Sequence, residues 1–228
     1  AAMVLNLLWT SKPVVSRIGL GESYAALLAF NMFPTGFFLV TPYSEAMTLM
    51  LGFAGLVCLF ERRWIWAGVL IGAQTALRAT ATGYALGLSA GAAVAAWRQR
   101  KAGDAKWWKP LLAIPLSGWG LAVESVVLQI VVGDWRAYLR AQKAFYGPGR
   151  PANPWKLLDP TFFLHGFGMQ QMDFVVLFGL VALTLVTARE VLKKFKLEEA
   201  VALVITSFVV VLMPLITIRD YWSFTRYL

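Results

Sequence analysis

Between Tyr24 and Phe60 the chain reads YAALLAFNMFPTGFFLVTPYSEAMTLMLGFAGLVCLF, a stretch whose only charge is Glu45. Two apolar runs, Tyr24–Val40 and Ala46–Phe60, flank a polar turn, Thr41–Glu45, that carries two hydroxyls, a phenol, a carboxylate and a proline. Runs of this length and composition predict helices that cross a bilayer. A turn between them belongs at a water-facing surface, because unpaired backbone groups cost too much in hydrocarbon. Pro34 and Gly36 loosen the end of the first run beside the turn. Glu45 on a tight turn between loosened helices is a candidate site residue; the plainer alternative is a solvated carboxylate on an ordinary connection.

The composition extends this reading to the whole chain. Hydrophobic residues make up 59% and charged residues 14%, against about 25% charged in an average soluble domain. Ten Trp and fifteen Phe suit a protein anchored at membrane interfaces. The net charge of +9 raises the question of nucleic acid, but the cations lie in short segments between apolar runs, which fits the positive-inside rule better than a basic groove. Cys58 is the only cysteine and His165 the only histidine, which excludes an intrachain disulfide and cysteine-based or multi-histidine metal sites.

The expected fold is all-α: one polytopic transmembrane helical bundle over residues 1–228. Ala1–Trp9 reads as a helix end, Thr10–Ser23 as a polar connection, and Tyr24–Val40 and Ala46–Phe60 as spans. Trp64–Leu77 and Tyr84–Trp97 are short apolar runs joined by a Thr-rich segment. Arg98–Lys109 reads as a basic loop ending at an aromatic anchor, and Pro110–Gly133 as a long span. A large loop covers 134–172. Asp173–Ala188 and Ala200–Ile218 are the last spans, separated by Arg189–Glu199. On alternating sides this places thirteen of the 21 Lys and Arg residues with 10–23, 61–63, 98–109 and 189–199. That side is expected to be cytoplasmic. The 41–45 turn, Arg78, the 134–172 loop and the C-terminal segment then share the extracytoplasmic side. The apolar start and abrupt end read as a piece of a longer membrane protein.

Polar residues inside the runs are Asn31, Gln74, Glu124 and Gln129. An ionisable group in a span costs about 2.5–3.5 kcal/mol on insertion scales and marks a pathway or site. For Asn31 and Gln74 the simpler expectation is an interhelical hydrogen bond. In the loop, Asp134–Tyr146 reads as an amphipathic helix with Arg136, Arg140 and Lys143 in a basic stripe. Such a helix either lies on headgroups or offers Arg to a phosphate. Gly87 and Gly91 belong to a small-residue face suited to helix packing. No phosphate-binding loop, nucleophile elbow or dinucleotide fingerprint is present.

The segment from Asn31 to Glu45, NMFPTGFFLVTPYSE, resembles the Asn-Pro…Phe-x-x-x-x-Pro-Tyr-Ser/Thr-Glu segment of the PIG-V-like membrane mannosyltransferases. Three further segments agree in order. ALRATATG from Ala76 to Gly83 is similar to the family's Thr-Arg-x-x-Gly stretch. GDWRAYLRAQ from Gly133 to Gln142 is similar to its Gly-Asp-x-x-x-Phe/Tyr-x-x-x-Gln loop, and SFTRY from Ser223 to Tyr227 to its late Arg-Tyr motif. The resemblance runs from about residue 24 to the end. It implies a GT-C fold and an extracytoplasmic active site. It also implies inverting transfer of a sugar, usually mannose, from a polyprenyl-phosphate donor to a lipid or glycan acceptor.

By this resemblance Tyr43, Arg78, Asp134, Arg140, Gln142, Arg226 and Tyr227 are the expected substrate-binding residues, with Glu45 in support; His165, in the segment FLHGF, is a further candidate read from the loop itself, as a base, an acceptor contact or an interfacial residue. The family's acidic catalytic residue lies in an earlier loop, so the base is expected upstream of this chain. The transfer needs a carboxylate to deprotonate the acceptor hydroxyl and cations for the departing phosphate. It leaves room for a divalent metal, although the sequence offers no compact carboxylate cluster for one. Partners implied are the sugar donor, membrane lipids and the acceptor, with no nucleic acid. The competing classes are a transporter or lipid flippase, for which internal repeats would speak, and a non-enzymatic assembly subunit.

Overall fold

A computed structural model describes residues 2–32, 44–78, 81–138, 140–141 and 169–217. Every regular element among them is helical. The order is α1 (Ala2–Trp9), α2 (Lys12–Ile18), α3 (Leu20–Met32), α4 (Ser44–Phe60), α5 (Trp64–Thr75) and α6 (Thr82–Lys101). A 3-10 turn (Lys109–Leu112) leads into α7 (Ala113–Ser117) and α8 (Trp119–Val132), followed by α9 (Met169–Lys194) and α10 (Leu197–Thr217).

The helices alternate in direction, as glycine contacts show. Gly55 of α4 packs on Ile71 and Ala67 of α5, and Gly52 on Gln74, so this pair is antiparallel. Gly68 meets Ala113 and Leu116, Gly72 meets Leu116 and Trp119, and Gly120 meets Ala76, so α5 runs parallel to the 109–132 segment. Trp119 Nε1 donates a hydrogen bond to the Val69 carbonyl at 3.0 Å across this contact. Helix α6 is antiparallel to α10: Gly83 faces Val209 and Val210, Gly87 faces Ala202 and Thr206, and Gly91 faces Glu198. These glycines have no side chain to separate the backbones, which is how small-residue helix faces approach closely. The core between them is Leu56, Leu59, Trp64, Ala67, Ile71, Leu88, Ala92, Ala95, Ala113 and Ala202.

One end of the bundle is locked by charge. Glu198 and Glu199 occupy the first turn of α10, where a helix N-terminus favours anions. Glu199 Oε2 accepts the Lys196 backbone N–H at 3.3 Å, the reach-back of a capping box. Its two oxygens also take a fork from Arg17 of α2, with Nη2 at 2.6 Å and Nε at 2.9 Å. Arg17 further donates to the Phe60 carbonyl at 2.8 Å and the Pro13 carbonyl at 2.7 Å. Glu198 accepts from Arg62 at 2.9 Å and from Arg98 at 2.8 Å. Both carboxylates are buried. Residues 17, 62, 98, 198 and 199 therefore meet at one end, here called the basic end.

Several sequence expectations need correction. Thr10–Ser23 is not a polar connection: α2 and the start of α3 occupy most of it, because Arg17 finds a carboxylate across the bundle. Arg189–Glu199 is not a separator, since α9 runs to Lys194 and α10 begins at Leu197. The large loop ends before residue 172, because α9 starts at Met169. Ser44 and Glu45 sit in the first turn of α4 rather than in a turn before it. Arg98–Lys101 belongs to α6. Among the described residues one helical stretch, Lys109–Val132, is long and apolar enough to cross a membrane, and Ala46–Phe60 is apolar but shorter.

Candidate functional site

Away from the Glu198–Glu199 lock, several buried polar side chains are left unsatisfied by the packing. Gln74, in the last turn of α5, is completely buried, and neither its amide oxygen nor its nitrogen has a hydrogen-bond partner. The interhelical hydrogen bond expected for it is not formed. Gly52 explains how the amide fits: a methyl group there would strike the Gln74 amide and the Tyr84 ring. Thr48, one turn before Gly52 on the same face of α4, is also buried with its hydroxyl unpartnered. Tyr84 of α6 borders a cavity of about 230 Å³ that lies between α1, α4, α6 and α10. Trp9, Phe53, Leu56 and Leu203 supply most of its apolar wall, and Thr206 and Ser207 its hydroxyls.

Arg78 follows one turn after Gln74. Its backbone N–H donates to the Gln74 carbonyl at 3.4 Å, and its own carbonyl accepts from Ala81 at 3.1 Å. Residues 76 and 77 turn after the end of α5, and Arg78 is half-buried. Thr82 opens α6; Thr80 lies outside the described residues.

The 109–132 segment reaches the same end. Gly120 packs against Ala76, and the helix then continues to Val132, which at about 1.5 Å per residue carries it some 18 Å further. Ile130 and Val131 on this stretch are 77% and 75% exposed. Gly133 closes it in the left-handed conformation at φ 75°. Gln129 proves to be part of this terminus: its amide donates to the Gly133 carbonyl at 3.3 Å and accepts the Trp135 N–H at 3.1 Å. That explains the polar residue without a ligand. Glu124 is half-exposed on the same helix.

Beyond the cap, Asp134 and Arg140 do come together, with Arg140 Nε and Asp134 Oδ2 3.1 Å apart. Asp134 Oδ1 also accepts the Arg136 backbone N–H at 3.0 Å. Arg140 is 74% exposed, so the pair is worth at most about 1 kcal/mol and leaves the guanidinium open to an anion. Arg136 lies over the Trp135 ring at 4.5 Å.

No family model, curated protein or solved structure matches this chain. The site thus stands on geometry alone. Arg78 follows the buried Gln74 by one turn at the end of α5, and Asp134 pairs with Arg140 beyond the end of α8. Tyr43, Gln142, His165, Arg226 and Tyr227 lie outside the described residues, as do the side chains of Asn31 and Glu45. No group of three His, Cys, Asp or Glu side chains that could hold a metal occurs among the described residues. Sequence reasoning missed the buried Glu198–Glu199 pair. Two adjacent acids before an apolar run, in a chain with so many loop arginines, were the available signal.

Proposed function

We propose that this chain is the membrane-embedded part of a polytopic GT-C-type glycosyltransferase. It moves a sugar, mannose by resemblance, from a polyprenyl-phosphate donor to an extracytoplasmic lipid or glycan acceptor, with inversion. The observation that carries the reading is the placement of Arg78. It follows the end of α5 opposite the basic end, one turn after the completely buried Gln74, and its carbonyl accepts the Ala81 N–H just before α6. A guanidinium there meets a lipid-linked phosphate at headgroup depth and stabilises the charge that develops as the phosphate leaves. The exposed apolar faces of α8 and α9, including Val126, Ile130, Leu185 and Val186, support a bilayer as the surrounding medium. Alternating helix directions support the expected topology, with the basic end cytoplasmic.

In this reading Arg78 and Arg140 act on the phosphate. Tyr43, Asp134, Gln142, His165, Arg226 and Tyr227 contribute to binding, and Glu45 orients a cation. The test uses the complete protein in membranes with polyprenyl-phosphate mannose labelled in the sugar. Transfer of label to an extractable lipid or glycan, with the anomeric configuration inverted, is the expected result. No transfer from any polyprenyl-phosphate sugar, in membranes where the protein is folded and abundant, overturns the assignment.

A further inference from the structure

The basic end carries more positive charge than its lock consumes. There Glu198 holds Arg62 and Arg98, and Glu199 holds Arg17. Glu61 pairs with Arg63 at 3.0 Å, and Glu190 with Lys193 at 2.8 Å. Asp104, the only acid between α6 and the 109–132 segment, accepts the Lys106 backbone N–H at 2.8 Å. Arg100, Lys101, Lys106 and Lys109 have no carboxylate within ion-pair distance among the described residues, and all four are exposed. They lie on one hairpin, residues 98–109, which turns at Gly103 with φ 76°.

Aromatic rings are interleaved with these cations. Arg100 lies over Trp107 at 5.3 Å and Lys101 over Trp97 at 4.7 Å. Trp97 and Trp108 are 56% and 48% exposed, although Trp is the residue that gains most from cover. The hairpin runs directly into Lys109–Val132, the stretch long and apolar enough to cross a membrane. Cations and half-exposed indoles at the mouth of such a helix match the headgroup layer in both charge and polarity.

We propose that the 98–109 hairpin is a docking surface for anionic phospholipid headgroups. Arg100, Lys101, Lys106 and Lys109 bind the phosphates, while Trp97 and Trp108 enter the interface beside them. The proposal rests on the membrane part of the reading above and is independent of sugar transfer. An acidic protein partner would meet the same charges, but the exposed indoles at the start of an apolar helix favour lipid.

The test compares unfolding midpoints of the full-length protein in neutral detergent with added phosphatidylglycerol or phosphatidylcholine. Phosphatidylglycerol is expected to raise the midpoint more. The difference should shrink in about 1 M salt, where the screening length is about 3 Å. Arg100→Gln/Lys101→Gln/Lys106→Gln/Lys109→Gln should match the parent in phosphatidylcholine yet lose about half or more of the phosphatidylglycerol effect. An undiminished effect in this variant, an equal rise from inorganic phosphate alone, or no lipid preference in the parent would overturn the proposal. Native mass spectrometry of the parent is a second readout that needs no variant. Preferential retention of phosphatidylglycerol supports the site, and equal retention of both lipids, or an acidic polypeptide in their place, refutes it. Release of the protein from membranes by alkaline carbonate would instead sink the membrane reading itself, and loss of transferase activity touches neither arm.

Discussion

Gln74 and Arg78 carry opposite consequences although they are one turn apart. A buried amide with no partner costs stability, roughly 1–3 kcal/mol for each unsatisfied group. Gln74→Leu should therefore leave the unfolding midpoint unchanged or raise it, as judged by thermal unfolding in detergent. A fall in midpoint would mean that the amide is satisfied in the folded protein. Arg78 is expected to matter for turnover and little for folding. Arg78→Lys keeps the charge but loses the planar fork that grips phosphate oxygens, and should lower transfer by about tenfold to a hundredfold. Activity within about threefold of the parent for Arg78→Ala in the complete protein would remove Arg78 from the chemistry. Arg78 was singled out because a guanidinium after a short apolar run is conspicuous in the sequence. The unpartnered state of Gln74 was not legible, because it depends on Gly52 and Tyr84, which come from two other helices.

Helix α10 shows what patterning alone does not reveal about an element. Its apolar run was readable, but its start was placed three residues late, because Glu198 and Glu199 look like solvated loop residues. They are helical because arginines from α2, the α4–α5 turn and α6 neutralise them. Breaking a buried pair by removing one partner costs about 3–5 kcal/mol. Arg17 and Glu199 are the most buried of these partners, so Glu199→Ala should destabilise by about that much in equilibrium unfolding. The double variant Arg17→Met/Glu199→Leu should recover a good part of the loss. A loss below about 1 kcal/mol for Glu199→Ala would reduce the pair to the worth of a surface contact. The other face of the element is steric. At Gly87 even a methyl group meets Thr206 Oγ1 and the Ala202 carbonyl, so Gly87→Leu forces α6 and α10 apart. Overpacking of this kind costs about 1–3 kcal/mol or more, and the same unfolding assay should record it. The sequence announced a small-residue face at Gly87 and Gly91, but not that α10 was the helix it would meet.

For the molecule as a whole, alternating direction is the property that sequence and structure share most fully. Apolar runs and Lys/Arg asymmetry divide the chain into two sets of ends, and the described helices keep Arg17, Arg62, Arg98 and Glu198 together in one set. Loop boundaries were less legible, because helices continue well into charged sequence wherever a partner helix supplies counter-charge, as at 12–18 and 189–194. Topology is checked by labelling single cysteines with an impermeant reagent in a Cys58→Ser background. Ala141→Cys should react from the extracytoplasmic side and Ala105→Cys only after the membrane is opened. The reverse pattern would invert the molecule and with it the placement of Arg78.

The lock at the basic end also sets an order of events during synthesis. Arg17 and Glu199 are 182 residues apart, and Glu198 is 136 and 100 residues from Arg62 and Arg98. A ribosome adding about 5–20 residues per second makes Arg17 wait roughly ten to forty seconds for its carboxylate. Once Arg98 is made, three arginines from three segments sit in a half-built bundle for a further 100 residues before Glu198 is added. Helix α10 is thus the keystone: a nascent chain halted before residue 198 keeps every earlier helix yet lacks the piece that holds their ends together, and a quality-control protease would find it open there.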